Sequence, residues 1–156
     1  MPRISIVPPG DGDQVVSEPV QMVIIEDGST TEHRLAVGVI TIPPRTDGPP
    51  AHWHAEHDEG FYVVAGTPWF TVEDGSSYDA PVGTFVMVPP RAAHAFANPG
   101  DEPAVILNTF TPDLYVGYFR DLGDLTASGQ PRTPGAMVEA MARYHTYPAG
   151  QPAPTR

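Results

Sequence analysis

Cysteine is absent from this chain, and so is lysine. Without a thiol there is no disulfide and no thiolate ligand, so any metal ion must be held by nitrogen and oxygen donors. All eight cations are arginine, against 19 acidic residues, for a net charge of −11. A surface of that sign repels phosphate backbones and anionic lipid alike, which makes nucleic acid and membrane surfaces poor partners. The absence of lysine, with abundant alanine, glycine and proline, reads as codon bias of a GC-rich bacterium rather than as mechanism. Long apolar runs are missing too. Nothing reaches 18 consecutive apolar residues, and the N-terminal MPRISIVPPGDGDQ has neither a long apolar run nor a cleavage site, so the expected location is the cytoplasm.

What is present is 156 residues, the length of one domain that can bury roughly 70% of its unfolded surface. Residues 1–19, rich in proline and glycine, are expected to form an extended arm able to supply one edge strand at Ile4 to Val7. Strand patterns follow at Val20 to Glu26, Arg34 to Ile42, Ala51 to His54, Gly60 to Ala65, Trp69 to Glu73, Thr84 to Val88, His94 to Ala97 and Ala104 to Phe110. Their β-branched and aromatic residues are punctuated by Asp27-Gly28, Asp47-Gly48, Asp74-Gly75 and Pro99-Gly100. About eight short strands so spaced predict an all-β barrel or jelly roll over residues 20–112. Residues 113–156 read differently, as C-terminal helices and a tail. Helices are expected at Tyr115 to Leu122 and at Pro134 to Tyr144, the second with Thr133 as N-cap and Pro134 in its first turn. The first of these either covers a barrel mouth or packs outside the sheet.

Within the run PPAHWHAEHDEG, His52 and His54 are two apart and face the same way in a strand, while Trp53 faces the other. Glu59 follows after a gap long enough for a reversal, and GTFVMVPPRAAHAFANPG adds His94. These two segments resemble the paired motifs of the cupin family. Gly48, His52, His54, Glu59 and Gly66 follow the first motif except for a first gap of three residues in place of five. Gly83, Pro89, His94 and Asn98 follow the second, in which Arg91 stands where the family has glycine. That departure bears on a turn, not on the ligand positions. The resemblance spans about Gly48 to Asn98 and implies the double-stranded β-helix of a single-domain cupin, with a C-terminal helical extension.

By this resemblance His52, His54, Glu59 and His94 are the ligands of one divalent transition metal. Iron, manganese, nickel and zinc all accept three imidazoles and a carboxylate, with two positions left open. His57 has two readings. Its neighbours Glu56 and Asp58 favour a solvated bend, whereas an extended chain would carry it into the barrel beside Glu59 as an acid, a base or a competing ligand. Phe61 shares the parity of Glu59 and Phe96 that of His94, so both are candidates for an apolar pocket wall. Asn98 is expected to make a turn or strand-end hydrogen bond, and His33 and His145 to lie on the surface. The leading function is a quercetinase-like dioxygenase acting on a small aromatic metabolite. The alternatives are a redox-neutral polyketide cyclase or isomerase, and a sensor that binds a metabolite without turnover. The resemblance also implies a homodimer, between whose subunits an apolar N-terminal arm could exchange.

Overall fold

The computed structural model describes residues 4–16, 19–129, 131 and 133–152. Its strands are β1 (Asp13–Val16), β2 (Gln21–Glu26), β3 (Ala36–Ile42), β4 (Thr46–Asp47), β5 (His52–His54), β6 (Asp58–Ala65), β7 (Trp69–Thr71), β8 (Ser77–Asp79), β9 (Phe85–Val88), β10 (Ala95–Asn98), β11 (Ala104–Thr111) and β12 (Thr146–Pro148). The helices α1 (Val116–Ala127) and α2 (Pro134–Arg143) precede β12. All eight strands expected between Val20 and Phe110 form, each end within two residues of its expected place.

The strands build an antiparallel six-stranded sheet in the order β1-β2-β3-β11-β6-β9, a four-stranded sheet β4-β10-β7-β8, and the pair β12-β5. Period-two alternation carries the core. In β3, Ala36, Gly38, Ile40 and Ile42 are buried between half-exposed neighbours, and in β11 so are Ala104, Ile106, Asn108 and Phe110. These strands pair over their whole length, from Ala104 opposite Ile42 to Phe110 opposite Ala36. The two larger sheets close on one another as a jelly roll. Phe61 of β6 meets Phe70 of β7 at 5.1 Å and Phe96 of β10 at 5.8 Å between ring centroids. Gly48 sits where a Cβ would fall 2.1 Å from the Phe96 carbonyl oxygen, so only glycine lets the chain pass there.

Three expectations change. Ile4 to Val7 forms no strand; Ile4 and Ile6 are 92% and 82% exposed, and the edge strand is β1, anchored by buried Val15 and Val16. A ladder needs a partner and an apolar face, and the arm ahead of the Pro8–Gly10 turn has neither. The first helix runs on to Ala127 and lies along β1, where Gly123 approaches the Val15 carbonyl and Arg120 reaches Asp27 at 2.9 Å, while its Phe119 ring meets the inward-facing Phe110 at 5.8 Å. The third is β12, whose signal was too short to read. At α2, Thr133 caps as expected, its hydroxyl accepting from the Ala136 amide at 3.2 Å with proline in the first turn.

Candidate metal centre

Four side chains from three parts of the chain converge on one point inside the barrel. His52 and His54 project from β5, Glu59 from β6, and His94 from the residue before β10, where an isolated bridge pairs His52 with His94. The turn between β9 and β10 that delivers His94 places Arg91 at φ 74°, and its amide donates to the His54 carbonyl at 2.6 Å. Arginine therefore occupies the left-handed conformation for which glycine is favoured, and the turn forms at some cost in strain. Asn98 fastens the far end of β10. Its amide nitrogen donates to the carbonyls of Ile42, Pro43 and Glu102, and its oxygen accepts from the Gly100 amide.

His52, His54, Glu59 and His94 are each at most 4% exposed, and one donor atom from each lies within 4.8 Å of the others. A first-row ion holds such atoms at about 2.0–2.2 Å, which puts opposite ligands ~4.2 Å apart. Closure by a few tenths of an ångström meets that requirement. The outer nitrogens are all engaged. Nδ1 of His52 lies 2.9 Å from the Pro50 carbonyl, Nδ1 of His94 3.2 Å from the Ala92 carbonyl, and Nδ1 of His54 2.8 Å from Oγ1 of Thr146. Thr146 directs its own proton to the Tyr144 carbonyl at 3.2 Å, so it accepts from His54. With Nδ1 carrying hydrogen, a neutral imidazole turns its Nε2 lone pair inward. Yet Nε2 of His54 and of His94 stand 2.8 and 3.1 Å from the same oxygen, Oε2 of Glu59. Acceptors so close require a cation. A proton on one histidine relieves one contact; a divalent ion relieves them all, and the donor set fits it.

The electrostatics agree. Burial opposes the charge on Glu59, but the adjoining His54 and His94 hold its carboxyl well below the ordinary range. Burial, then the like-charged His94 and His54, push His52 down to about 3. Burial also works against protonation of His94, but its contact with Glu59 raises it above the ordinary histidine value. The second carboxylate oxygen, Oε1, accepts from the side-chain amide of Asn108 at 3.1 Å.

His57 is not on a solvated bend. The bend exists, but its exposed residue is Glu56, while His57 is 1% exposed and follows the parity of Glu59 into the barrel. Its ring lies 4.1 Å from that of His54 and 5.4 Å from that of Tyr115, with Phe110 at 6.0 Å. Neither ring nitrogen has a hydrogen-bond partner among the described residues, and burial, then His54, lowers its pKa to about 3. Phe61 touches His94 at 5.9 Å, while Phe96 stands one layer further off, against Phe61 and Phe70. Trp53 faces away, its ring tilted against that of Tyr147 at 4.9 Å and its indole N–H donating to the Gln151 carbonyl. His33 is exposed and pairs with Asp113 at 2.7 Å, and His145 is half-exposed beside Glu56.

Three residues around the quartet were not singled out from sequence. Asn108 had a signal, an amide at an inward position of an otherwise apolar strand. Thr146 and Tyr115 had none, because they reach the site only through the return of the C-terminal segment; Tyr115, at the N-cap of α1, places its ring 4.7 Å from His54.

Residues 38–110 match the sequence model of a family described as "Cupin domain". No curated protein matches the chain by sequence. Among solved structures, a mutant of the oxalate decarboxylase of Bacillus subtilis is 28% identical with a TM-score of 0.55, covering 64% of this chain and 28% of that one. A protein of Acidithiobacillus ferrooxidans, provisionally described as a sugar phosphate isomerase, is 26% identical at a TM-score of 0.55, covering 66% of this chain and 69% of its own. The KdgF protein of Halomonas sp. shares the fold at 20% identity and a TM-score of 0.54, over 62% of this chain and 83% of its own. No helix among the described residues is long and apolar enough to cross a membrane.

Proposed function

Residues 38–110 are a cupin domain, and on that premise we propose that the protein is a metal-dependent enzyme of small-metabolite chemistry, a dioxygenase acting on a hydroxylated, enolisable or aromatic substrate. The carrying observation is the convergence of three buried imidazoles and Glu59, walled by aromatic rings, with the unpartnered His57 alongside. His52, His54, Glu59 and His94 would hold the ion. Bound there, a divalent ion supplies Lewis acidity and, if it is iron, manganese or nickel, a redox couple for dioxygen.

The chain's own groups favour an uncharged substrate. Every described arginine is exposed and lysine does not occur, so no buried cation stands ready for a second carboxylate or a phosphate. This argues against oxalate and against sugar phosphates, whatever the similar structures act on. His57, whose burial disfavours the charged ring, is placed to accept a hydrogen bond from a substrate hydroxyl or to donate its one N–H. Phe110 and Tyr115 enclose it, and Phe61 covers His94. Phe96, against Phe61 and Phe70, backs that wall. The likeness to an isomerase keeps a redox-neutral cyclase or isomerase as the second reading.

Elemental analysis together with oxygen uptake tests the proposal. About one divalent ion per chain is expected, lost in the double variant His52→Ala, His94→Ala, with oxygen consumed on phenols or enols by the iron, manganese or nickel form. Full occupancy in that variant would sink the ligand assignment. Turnover by the zinc form without oxygen would transfer the activity to the redox-neutral class.

A further inference from the structure

Among the described residues, three buried side-chain atoms lack a hydrogen-bond partner: both ring nitrogens of His57 and Oδ1 of Asn108. Both residues touch the quartet, His57 with its ring 4.1 Å from that of His54 and Asn108 through its bond to Glu59. Elsewhere a buried amide is fully used. Asn98 gives its nitrogen to three carbonyls and its oxygen to the Gly100 amide. An idle acceptor at a buried position is costly, so its occurrence beside the quartet points to a donor that arrives with a ligand.

The orientation of Asn108 follows from its neighbours. Its amide nitrogen donates to Oε1 of Glu59 and to the Gly60 carbonyl, each at 3.1 Å. Turned over, the amide would set its oxygen against a carboxylate and a carbonyl, two acceptors, so the nitrogen faces β6 and Oδ1 is directed elsewhere. This bond also ties up the spare oxygen of Glu59, leaving Oε2 alone to face Nε2 of His54 and of His94. No nearby side chain answers Oδ1. The flanking inward positions on β11 are Ile106 and Phe110, and opposite on β3 stands Gly38, whose missing side chain leaves its space to the sulfur of Met22. None of these side chains carries a strong donor.

We propose that Asn108 is the specificity-determining residue of the centre, its Oδ1 accepting a hydrogen bond from a hydroxyl or N–H of the substrate. This rests on the proposed function and narrows its substrate class to neutral molecules with two hydroxyl groups, one for His57 and a second read by Asn108; catechols and enediols are the compact cases. A ketone, ether or carboxylate in the second position would meet the amide oxygen acceptor to acceptor. A methyl group there would leave Oδ1 buried and unpaired. Selectivity of this origin is strong, because a site built to hydrogen-bond a substrate group is left with its own unpaired atom when the analogue lacks that group. The exposure of every described arginine agrees, since a neutral ligand needs no buried cation.

Calorimetric titration of the zinc-loaded full chain tests it, zinc being redox-silent so that binding is read without oxidation of the probe. Catechol and its monomethyl ether are the probes. The wild type is expected to bind catechol about tenfold to hundredfold more tightly than the ether. Asn108→Leu, similar in volume but without the acceptor, should narrow that preference by about tenfold or more. Ion content is measured on the same samples, since Glu59 loses a donor in the variant, and the ratio of two ligands on one sample is insensitive to partial loss of metal. Should Asn108→Leu not fold, Asn108→Ala removes the same acceptor without added bulk. Three results would each overturn the assignment: a wild type that does not bind catechol, a ratio unchanged in the variant, as a water fixed on Oδ1 would give, or a preference lost in His57→Gln and kept in Asn108→Leu. Ion content and oxygen uptake judge the proposed activity, the affinity ratio judges Asn108, and either can fail alone.

Discussion

At His57 and His52 the fold keeps imidazoles where their charged form is disfavoured. Both titrate at about 3 when folded, against about 6.5 in an unfolded chain, so between those values the unfolded state binds more protons. Stability of the metal-free protein must therefore fall as pH drops from 6.5 towards 3, by about 1.4 kcal/mol per pH unit for each group. Glu59, depressed in the fold, acts in the same direction once pH falls through the ordinary carboxylate range. His94, raised by Glu59, opposes them over part of that window. Thermal melts of metal-stripped protein from pH 7 to pH 4 should show a steep decline, and His57→Phe, which removes one titrating group from an aromatic enclosure, should make it shallower. A pH-independent melting temperature would mean that these rings are hydrated. At this scale the sequence was partly legible. Strand parity, a local rule, set His52 and His54 on one face, and the resemblance of two segments to the cupin motifs added Glu59 and His94. The enclosure of His57 was not local: its charged neighbours announce a bend, and only Phe110 and Tyr115, more than 50 residues away, explain why the ring turns inward.

The elements show the same division between local and distant signals. β3 and β11 could be read from alternation, and α2 from Thr133 and Pro134, since the instructions lie within the segment. β4, β8 and β12 run two or three residues and carry no periodicity to detect. Of these β12 matters most, because it returns after both helices to pair Thr146 with His54 and Pro148 with His52. It thereby supplies the hydroxyl that holds the Nδ1 proton of His54. Thr146→Val keeps shape and β-propensity but removes that acceptor, leaving a buried N–H unpaired. Metal affinity should fall about 10- to 100-fold, while Thr71→Val, at an exposed strand position bonded to Ser77, should leave it unchanged. Competition with a chromogenic chelator measures both. Equal affinities would show that the orientation of His54 is fixed by packing against His57 and Tyr115 alone.

In the whole molecule the quartet is a junction between separate sheets. β5 belongs to the pair with β12, β6 to the six-stranded sheet, and His94 leads into the four-stranded one, so an ion held by all four side chains would tie the layers together beside the isolated bridge of His52 with His94. Without it, the carboxylate and the inward-facing lone pairs are a buried cost that the surrounding core must offset. Binding to the folded state alone stabilises by mass action, about 2.7 kcal/mol at a free ion concentration of 100 times the dissociation constant. For a chain of this length, each kcal/mol raises the melting temperature by ~2–4 °C. Adding the divalent ion to stripped protein should therefore raise it by about 5–10 °C. His52→Ala with His94→Ala should abolish the shift and, by removing two crowded lone pairs, should destabilise the stripped protein by less than the several kcal/mol expected of an ordinary buried truncation. A shift that survives in that double variant would place the ion elsewhere, and the buried quartet would then be an ion-pair network built around Glu59.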